Sequence, residues 1–436
     1  MEIKAFKAYR FNPEVVGTAG DCIAPPYDVI KDQLQDALYK LNDHNIVRII
    51  KGKQGEEDSE NNNVYTRARD YLNSWIEENA LRQDEKPSIY AYVQRFEAAG
   101  EKFARSGFIA LGKLADFGKG VQPHEKTLDG PKADRLNLTR ACKAQFGQIF
   151  MLYNDPEKVI ESIIDKCVQG EPLVEFCDEE GVQHSLYSID AEEDIAAAIS
   201  MMQDKDPVIA DGHHRYETSL NYYKESGNPN AQYRMMTFVN MYNEGLVVLP
   251  THRLAGSIEG FDIGKLITDL REQFEIEEFG FSDEGEKQNA KARMFEALER
   301  DYQSGRNSFG IYAADKAFYK ITLKDISFME SCAPELSEAS RKLDVTILHR
   351  LILENILGIG DAQLASQANL EYIKGIGSAA DDSIERVDSG EKQVVFFMNP
   401  TPVKQVRDVA DAGEKMPQKS TFFYPKIYTG LTINKI

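Results

Sequence analysis

Residues 207–229, PVIADGHHRYETSLNYYKESGNP, pass from a short apolar run through a glycine turn into an amphipathic pattern closed by Gly227 and Pro229. That succession predicts a strand, a turn and a helix. Where a strand gives way to a helix, backbone N–H groups and the positive end of the helix dipole converge, which makes a natural anion site. Gly212 lets the backbone turn and approach a ligand, and Arg215 can hold phosphate oxygens bidentately. His213 and His214 can donate, accept or shuttle protons near neutral pH. Asp211 can orient a histidine, bind Mg2+ or act as a base. The plainer alternative is that Asp211 caps the helix and the histidines lie on its surface. Two of seven histidines, an Asp and an Arg within five positions favour function. Adjacent histidines do not share a helix face as the pair in HExxH does, so a zinc-protease reading fails.

Outward from this segment, short β-rich runs alternate with helical patterns, and the chain is expected to be an α+β protein with helices packed on a mixed sheet. IVRII from Ile46 is β-rich, YTRARDYLNSWIEENALR from Tyr65 is helical, and SIYAYVQRFEAAG with KFARSGFIALGKL resembles a hairpin. GQIFMLYND from Gly147 predicts a buried strand, and PEKVIESIIDKCVQG from Pro156 a helix with Pro at its start. RMMTFVNMYNEGLVVLPTHRLAG predicts two more strands, the second ending near Arg253, that extend the same sheet. From Phe261 to about Gly305 the pattern is helical and charged, followed by a hairpin in NSFGIYAADKAFYKITL. Three segments are therefore expected: a core over 1–260 holding both His motifs, a helical and hairpin insertion or second unit over 261–330, and a C-terminal helix, strand and tail over 331–436 packing back on the core.

A second constellation, PHEKTLDGPKADRLNLTR from Pro123, surrounds a Gly-Pro turn with charge and predicts an active-site loop. Lys126 and Arg135 suit phosphate, Glu125 suits a general base or metal ligand, Thr127 can donate to an oxyanion, and His124 adds a proton carrier. A solvated charged loop is the alternative. In CIAPPYDVI, Tyr27 and Asp28 follow a rigid Pro25-Pro26 turn and could face a cleft, or simply form the turn. The late run PQKSTFFYPK offers Lys419 and Ser420 as part of a lid over a nucleotide, or a packed tail. There is no GxGxxG, no Walker A and no GxSxG, so standard dinucleotide, P-loop and hydrolase readings lack support.

With 51 Lys and Arg against 71 Asp and Glu, a net charge of −20 opposes a phosphate backbone, so nucleic acid is not an expected partner. Small phosphorylated metabolites stay open, because a few cations can line a local cleft. The N-terminal residues lack a signal-peptide pattern and no run is long enough to span a bilayer, so the expectation is a cytoplasmic protein without a membrane partner, and a homo-oligomer is permitted. Five scattered cysteines without a CxxC pair are read as reduced structural thiols.

Taken together, APPYDVI, PHEKT, DGHHRYET, FFMNPT and MPQKSTFFYPK resemble the bacterial and archaeal family catalogued as domain of unknown function 1015, over nearly the full length. More distantly, the strand, DGHHR turn and helix resemble the phosphate-binding box of the ParB and sulfiredoxin fold, above all that of its free serine kinases. That resemblance implies a ParB/sulfiredoxin-like sheet, ADP or ATP as cofactor with Mg2+, and nucleotide phosphates cradled by Gly212, His213, His214 and Arg215. It puts Asp211 beside the reacting hydroxyl or the metal. The kinases' catalytic glutamate cannot be placed here by motif, and Glu125 is the candidate on chemistry alone. The expected function is nucleotide-dependent phosphotransfer to or from a small metabolite, with serine or phosphoserine as the specific choice. Phosphomonoester hydrolysis and a non-catalytic nucleotide sensor are the alternatives.

Overall fold

The computed structural model describes all residues except 99, 119, 124–129, 361–362, 364–368 and 418, and describes only the backbone at 122–123 and 130–131. The chain divides into two compact units. The first contains Met1–Pro123, the described residues from Gly130 to Val247, and Pro425–Ile436; the second is Val248–Tyr424.

The first unit is built on a nine-stranded mixed sheet. Its strands are β1 (Ile3–Lys4), β2 (Ile89–Ala98), β3 (Glu101–Lys113), β4 (Gln122–Pro123), β5 (Ile149–Tyr153), β6 (Val174–Cys177), β7 (Gln183–Ile189), β8 (Val208–Asp211) and β9 (Tyr233–Asn240). The order across the sheet is β4-β8-β5-β9-β3-β2-β7-β6, with β1 beside β3. Only β4 with β8 and β5 with β9 run parallel. Both faces of the central strands are covered, so β5 is buried at every position and β9 at all but its first. Phe108 of β3 and Phe238 of β9, both fully buried, stack with ring centroids 5.0 Å apart.

Three helices of this unit bear on the site: α1 (Val64–Glu77), α2 (Gly130–Cys142) and α3 (His213–Ser226). The last follows β8 directly, as the 207–229 pattern predicts, and Gly227 ends it in the left-handed conformation. Its Tyr216 and Leu220, four residues apart, enter the core under the sheet. The Tyr216 hydroxyl donates to the Ala115 carbonyl at 2.8 Å, which pins the helix's first turn.

The second unit holds a six-stranded, wholly antiparallel sheet of β10 (Thr251–Ala255), β11 (Phe274–Gly280), β12 (Ser308–Tyr312), β13 (Ala317–Leu323), β14 (Leu370–Lys374) and β15 (Val394–Phe397). Its order is β11-β13-β12-β15-β10-β14, and the charged helix α4 (Glu284–Gln303) buries Met294 and Leu298 against it.

The hairpins at 89–113 and 308–323 match expectation. Several readings need correction. IVRII contributes a short helix, Val47–Ile50, because the Asn45 side chain accepts from the Val47 N–H at 2.9 Å and starts a helical turn. The helix expected from Pro156 starts only at Val159, whose N–H donates to Asp155 at 2.9 Å. Phe274–Gly280, read as part of a charged helix, is the edge strand β11, on which Glu275, Glu277 and Glu278 are all exposed. Thr251–Ala255 does not extend the first sheet; it pairs with β14 and β15, more than a hundred residues away in sequence. The boundary expected at 260 and 261 therefore falls after Val247, the second unit is larger than 261–330, and only Pro425–Ile436 of the C-terminal segment returns to the first unit.

Candidate functional site

Asp211 is the last residue of β8, and Gly212 turns the chain at φ 96° into α3. Gly212, which has no side chain, occupies the N-cap position, so Asp211 is not the cap that the plainer reading required. Its carboxylate points elsewhere: Oδ1 accepts from Lys426 Nζ at 2.7 Å and Oδ2 from Arg215 Nη2 at 2.5 Å. Burial by itself would raise the Asp211 pKa, but the charges of Lys426 and Arg215 overcome that and hold it well below the ordinary carboxylate range. A carboxyl so firmly ionised is a weak proton acceptor and a strong anchor for cations. Gly212 is required twice over, because its φ suits glycine and an added Cβ would lie 2.9 Å from Arg215 Nε.

Arg215 also donates from Nη1 to the Gln148 carbonyl at 2.5 Å. The neighbouring carbonyl, Gly147 O, receives Arg234 Nη2 at 2.5 Å. Two guanidinium groups thus hang from consecutive carbonyls just ahead of β5. Arg234 lies near the start of β9 and is 6% exposed, and among the described residues its Nε and Nη1 have no hydrogen-bond partner. Burial, then the charge of Arg215, pushes its pKa down to about 9.

Arg215 and Arg234 border a cleft within the first unit, alongside Tyr27 and Arg135. One wall is a single face of α3, with Arg215, Thr218, Ser219 and Tyr222 at helical spacing, and the other is Arg135, Leu138 and Thr139 of α2. The Arg135 guanidinium lies 4.0 Å from the Tyr27 ring centroid and is held by Asp134 and the Ile50 carbonyl, the latter at 2.8 Å. Burial raises the Tyr27 pKa while the charges of Arg135 and Arg215 pull it down.

The residues named from sequence therefore divide. Tyr27, Arg135 and Arg215 share the cleft, Asp211 and Gly212 form the turn beside it, and His213 and His214 occupy the first turn of α3, His213 being buried. Asp28 is exposed and does not line the cleft. Lys419 and Ser420 belong to the second unit, where the Lys419 carbonyl accepts from Arg253 and the Ser420 hydroxyl donates to the Pro417 carbonyl at 2.5 Å. His124, Glu125, Lys126 and Thr127 lie outside the described residues. Sequence reasoning missed Arg234 and Lys426. A lone cation heading the apolar run RMMTFV was the available signal for the first. Lys426 ends a run already singled out, but its partner is 215 residues away.

As a metal ligand, Asp211 does not fit Mg2+, since both of its oxygens are taken by cations, and no group of three His, Cys, Asp or Glu that could hold a metal occurs among the described residues. Among those residues no helix is long and apolar enough to cross a membrane. The five cysteines are unpaired, and burial pushes Cys22 and Cys142 up to about 12, where a thiol is inert.

Residues 3–346 match the model of the family described as protein of unknown function (DUF1015). The chain belongs to this family. Among curated proteins, none matches this DUF1015 member. Similar solved structures include a conserved hypothetical protein from Pyrococcus furiosus, 14% identical, covering 75% of this chain and 94% of that one with a TM-score of 0.34. A free serine kinase in complex with AMP is 13% identical, covering 72% of this chain and 86% of that one with a TM-score of 0.33. SbnI with a C-terminal truncation, from Staphylococcus aureus, is 10% identical, covering 75% of this chain and 82% of that one with a TM-score of 0.31.

Proposed function

We propose that this DUF1015 protein is a nucleotide-dependent phosphotransferase acting on a small metabolite, built on a ParB/sulfiredoxin-like first unit. One observation carries the reading: Arg215 and Lys426 meet on a single carboxylate, Asp211, at the N-terminal end of α3, and Arg234 hangs beside Arg215 from the next carbonyl. Phosphoryl transfer asks little covalent chemistry of a protein; it needs a positioned acceptor and fixed positive charge on the moving group. In this reading ADP or ATP places its phosphates against Gly212, His213, His214 and Arg215, and Asp211 positions Arg215 and Lys426 rather than taking a proton. Glu125 is the candidate base, with His124, Lys126 and Thr127 acting on the transferred group. Serine as acceptor follows from the motif resemblance alone.

The test is to incubate the purified protein with ATP and serine, and with ADP and phosphoserine, with and without Mg2+, while following phosphoserine, nucleotide and free phosphate separately. Phosphoserine formed one-for-one with ADP is the expected result. Free phosphate without phosphoserine would make the protein a hydrolase, and nucleotide binding without turnover a sensor. Arg215→Ala should weaken nucleotide binding about tenfold or more, because it removes contacts made in the ground state. Glu125→Gln should lower turnover with binding nearly kept; the opposite pattern would exchange the two roles.

A further inference from the structure

We propose that the cleft between α2 and α3 binds a phosphate-type dianion, as a phosphomonoester or pyrophosphoryl group, and that Arg234 is the residue that selects it over singly charged anions. The inference deepens the phosphotransfer reading at the same Arg215 site but does not require turnover.

Three arginines line the cleft, Arg135, Arg215 and Arg234, and no Asp or Glu does among its described lining residues. In a chain of net charge −20 that local excess of positive charge is unusual. The arginines are not equivalent. Arg135 is paired with Asp134, and Arg215 with Asp211. Arg234 is the exception: among the described residues its Nε and Nη1 are buried without a partner, and its Nη2 donates to a neutral carbonyl, Gly147 O. An unpaired buried guanidinium is expensive to maintain, and an incoming anion would supply the missing charge.

The selection for two charges follows from the neighbours. Arg215 and Arg234 are fixed to the consecutive carbonyls of Gln148 and Gly147, so like charges are held close. Asp211 relieves Arg215 only in part, because it also serves Lys426. A phosphomonoester, with about 1.5 to 2 negative charges at pH 7, answers both guanidiniums, whereas a carboxylate answers one. Gly147 keeps this corner open: an added Cβ would lie 3.1 Å from the Thr429 hydroxyl and 3.6 Å from Arg215 Nη1. The cleft also presents Leu138 and Phe146, which suits an organic ester more than a bare ion.

The experiment is calorimetric titration of the full-length protein with inorganic pyrophosphate, inorganic phosphate, AMP, phosphoserine and acetate at constant ionic strength, repeated on Arg234→Met and Arg234→Lys. Pyrophosphate should bind the parent, lose about tenfold or more in affinity in Arg234→Met, and recover part of it in Arg234→Lys. Arg234→Met should unfold at the same or a higher temperature than the parent without ligand, which shows that lost binding is not lost folding. AMP binding with phosphoserine excluded would identify a nucleotide as the source of the dianion, and the converse a phosphorylated metabolite; both support the site. Unchanged pyrophosphate affinity in Arg234→Met, or acetate binding as tightly as phosphate, overturns it. Phosphate binding that depends on Arg234 in a protein without turnover upholds this inference and sinks the phosphotransferase; turnover with Arg234-independent binding does the reverse.

Discussion

At Gly212 two separate constraints act on one residue, the positive φ of 96° and the 2.9 Å approach of a would-be Cβ to Arg215 Nε. Gly212→Ala is therefore expected to destabilise the protein by about 1–3 kcal/mol and to loosen the Asp211–Arg215 pair. Denaturant titration of the single variant and of Gly212→Ala in an Arg215→Ala background separates the contributions, since only the backbone strain survives when the guanidinium is gone. A cost that is the same in both backgrounds would show that the side-chain clash is immaterial. Arg234 is expected to show the opposite balance: among the described residues its Nε and Nη1 are buried without a partner, so Arg234→Met should not lower the stability of the ligand-free fold.

Among the elements, α1 shows how local chemistry alone can fix a boundary. Asn63 Oδ1 accepts from the N–H groups of Tyr65 at 3.0 Å and Thr66 at 3.1 Å, while the Thr66 hydroxyl accepts from the Asn63 N–H at 2.8 Å. This capping box should be worth about 1 kcal/mol, so Asn63→Ala lowers stability by roughly that amount. The sole tryptophan, Trp75, is buried at the other end of the same helix, and its fluorescence follows the loss during denaturation. α3 works differently: its sequence announces both ends, yet which of its faces meets the core and which lines the cleft is set by the sheet and α2 beside it. In the second unit the helical turn Asp344–Ile347 widens into a π-helix over Leu348–Glu354, in which His349 is buried.

Over the whole molecule, buried histidines make the second unit sensitive to acid. Burial and then Arg253 push the His252 pKa down to about 4, and burial, Arg253 and Arg350 push that of His349 to about 3. Both folded values lie below the ordinary value of 6.5, so the unfolded chain binds protons more readily, and stability is lost as the pH falls below 6.5 towards the folded values. Asp344 acts in the other direction: burial raises it to about 7 against a hydrogen bond from Asn307, so its contribution declines as pH rises towards 7. His349→Leu isolates one histidine, because the Nε2 it removes has no hydrogen-bond partner among the described residues. Its unfolding free energy should fall less between pH 6.5 and 4.5 than the parent's, by on the order of 1–2 kcal/mol in chemical denaturation. An identical pH slope in the two proteins would remove His349 from the account.

The amino-acid sequence by itself determined whatever depends on neighbours a few residues apart: the β8, Gly212 and α3 junction and the hairpins at 89–113 and 308–323. Turn chemistry and periodicity act over such distances and leave their mark in the order of residues. Tertiary structure alone decided which sheet Thr251–Ala255 joins, that Lys426 reaches Asp211 across 215 residues, and that Arg234 hangs beside Arg215 from the next carbonyl. The physical reason is the same in all three. Strand pairing and charge pairing depend on proximity in space, and the side chain that completes a contact leaves no trace in the sequence around its partner.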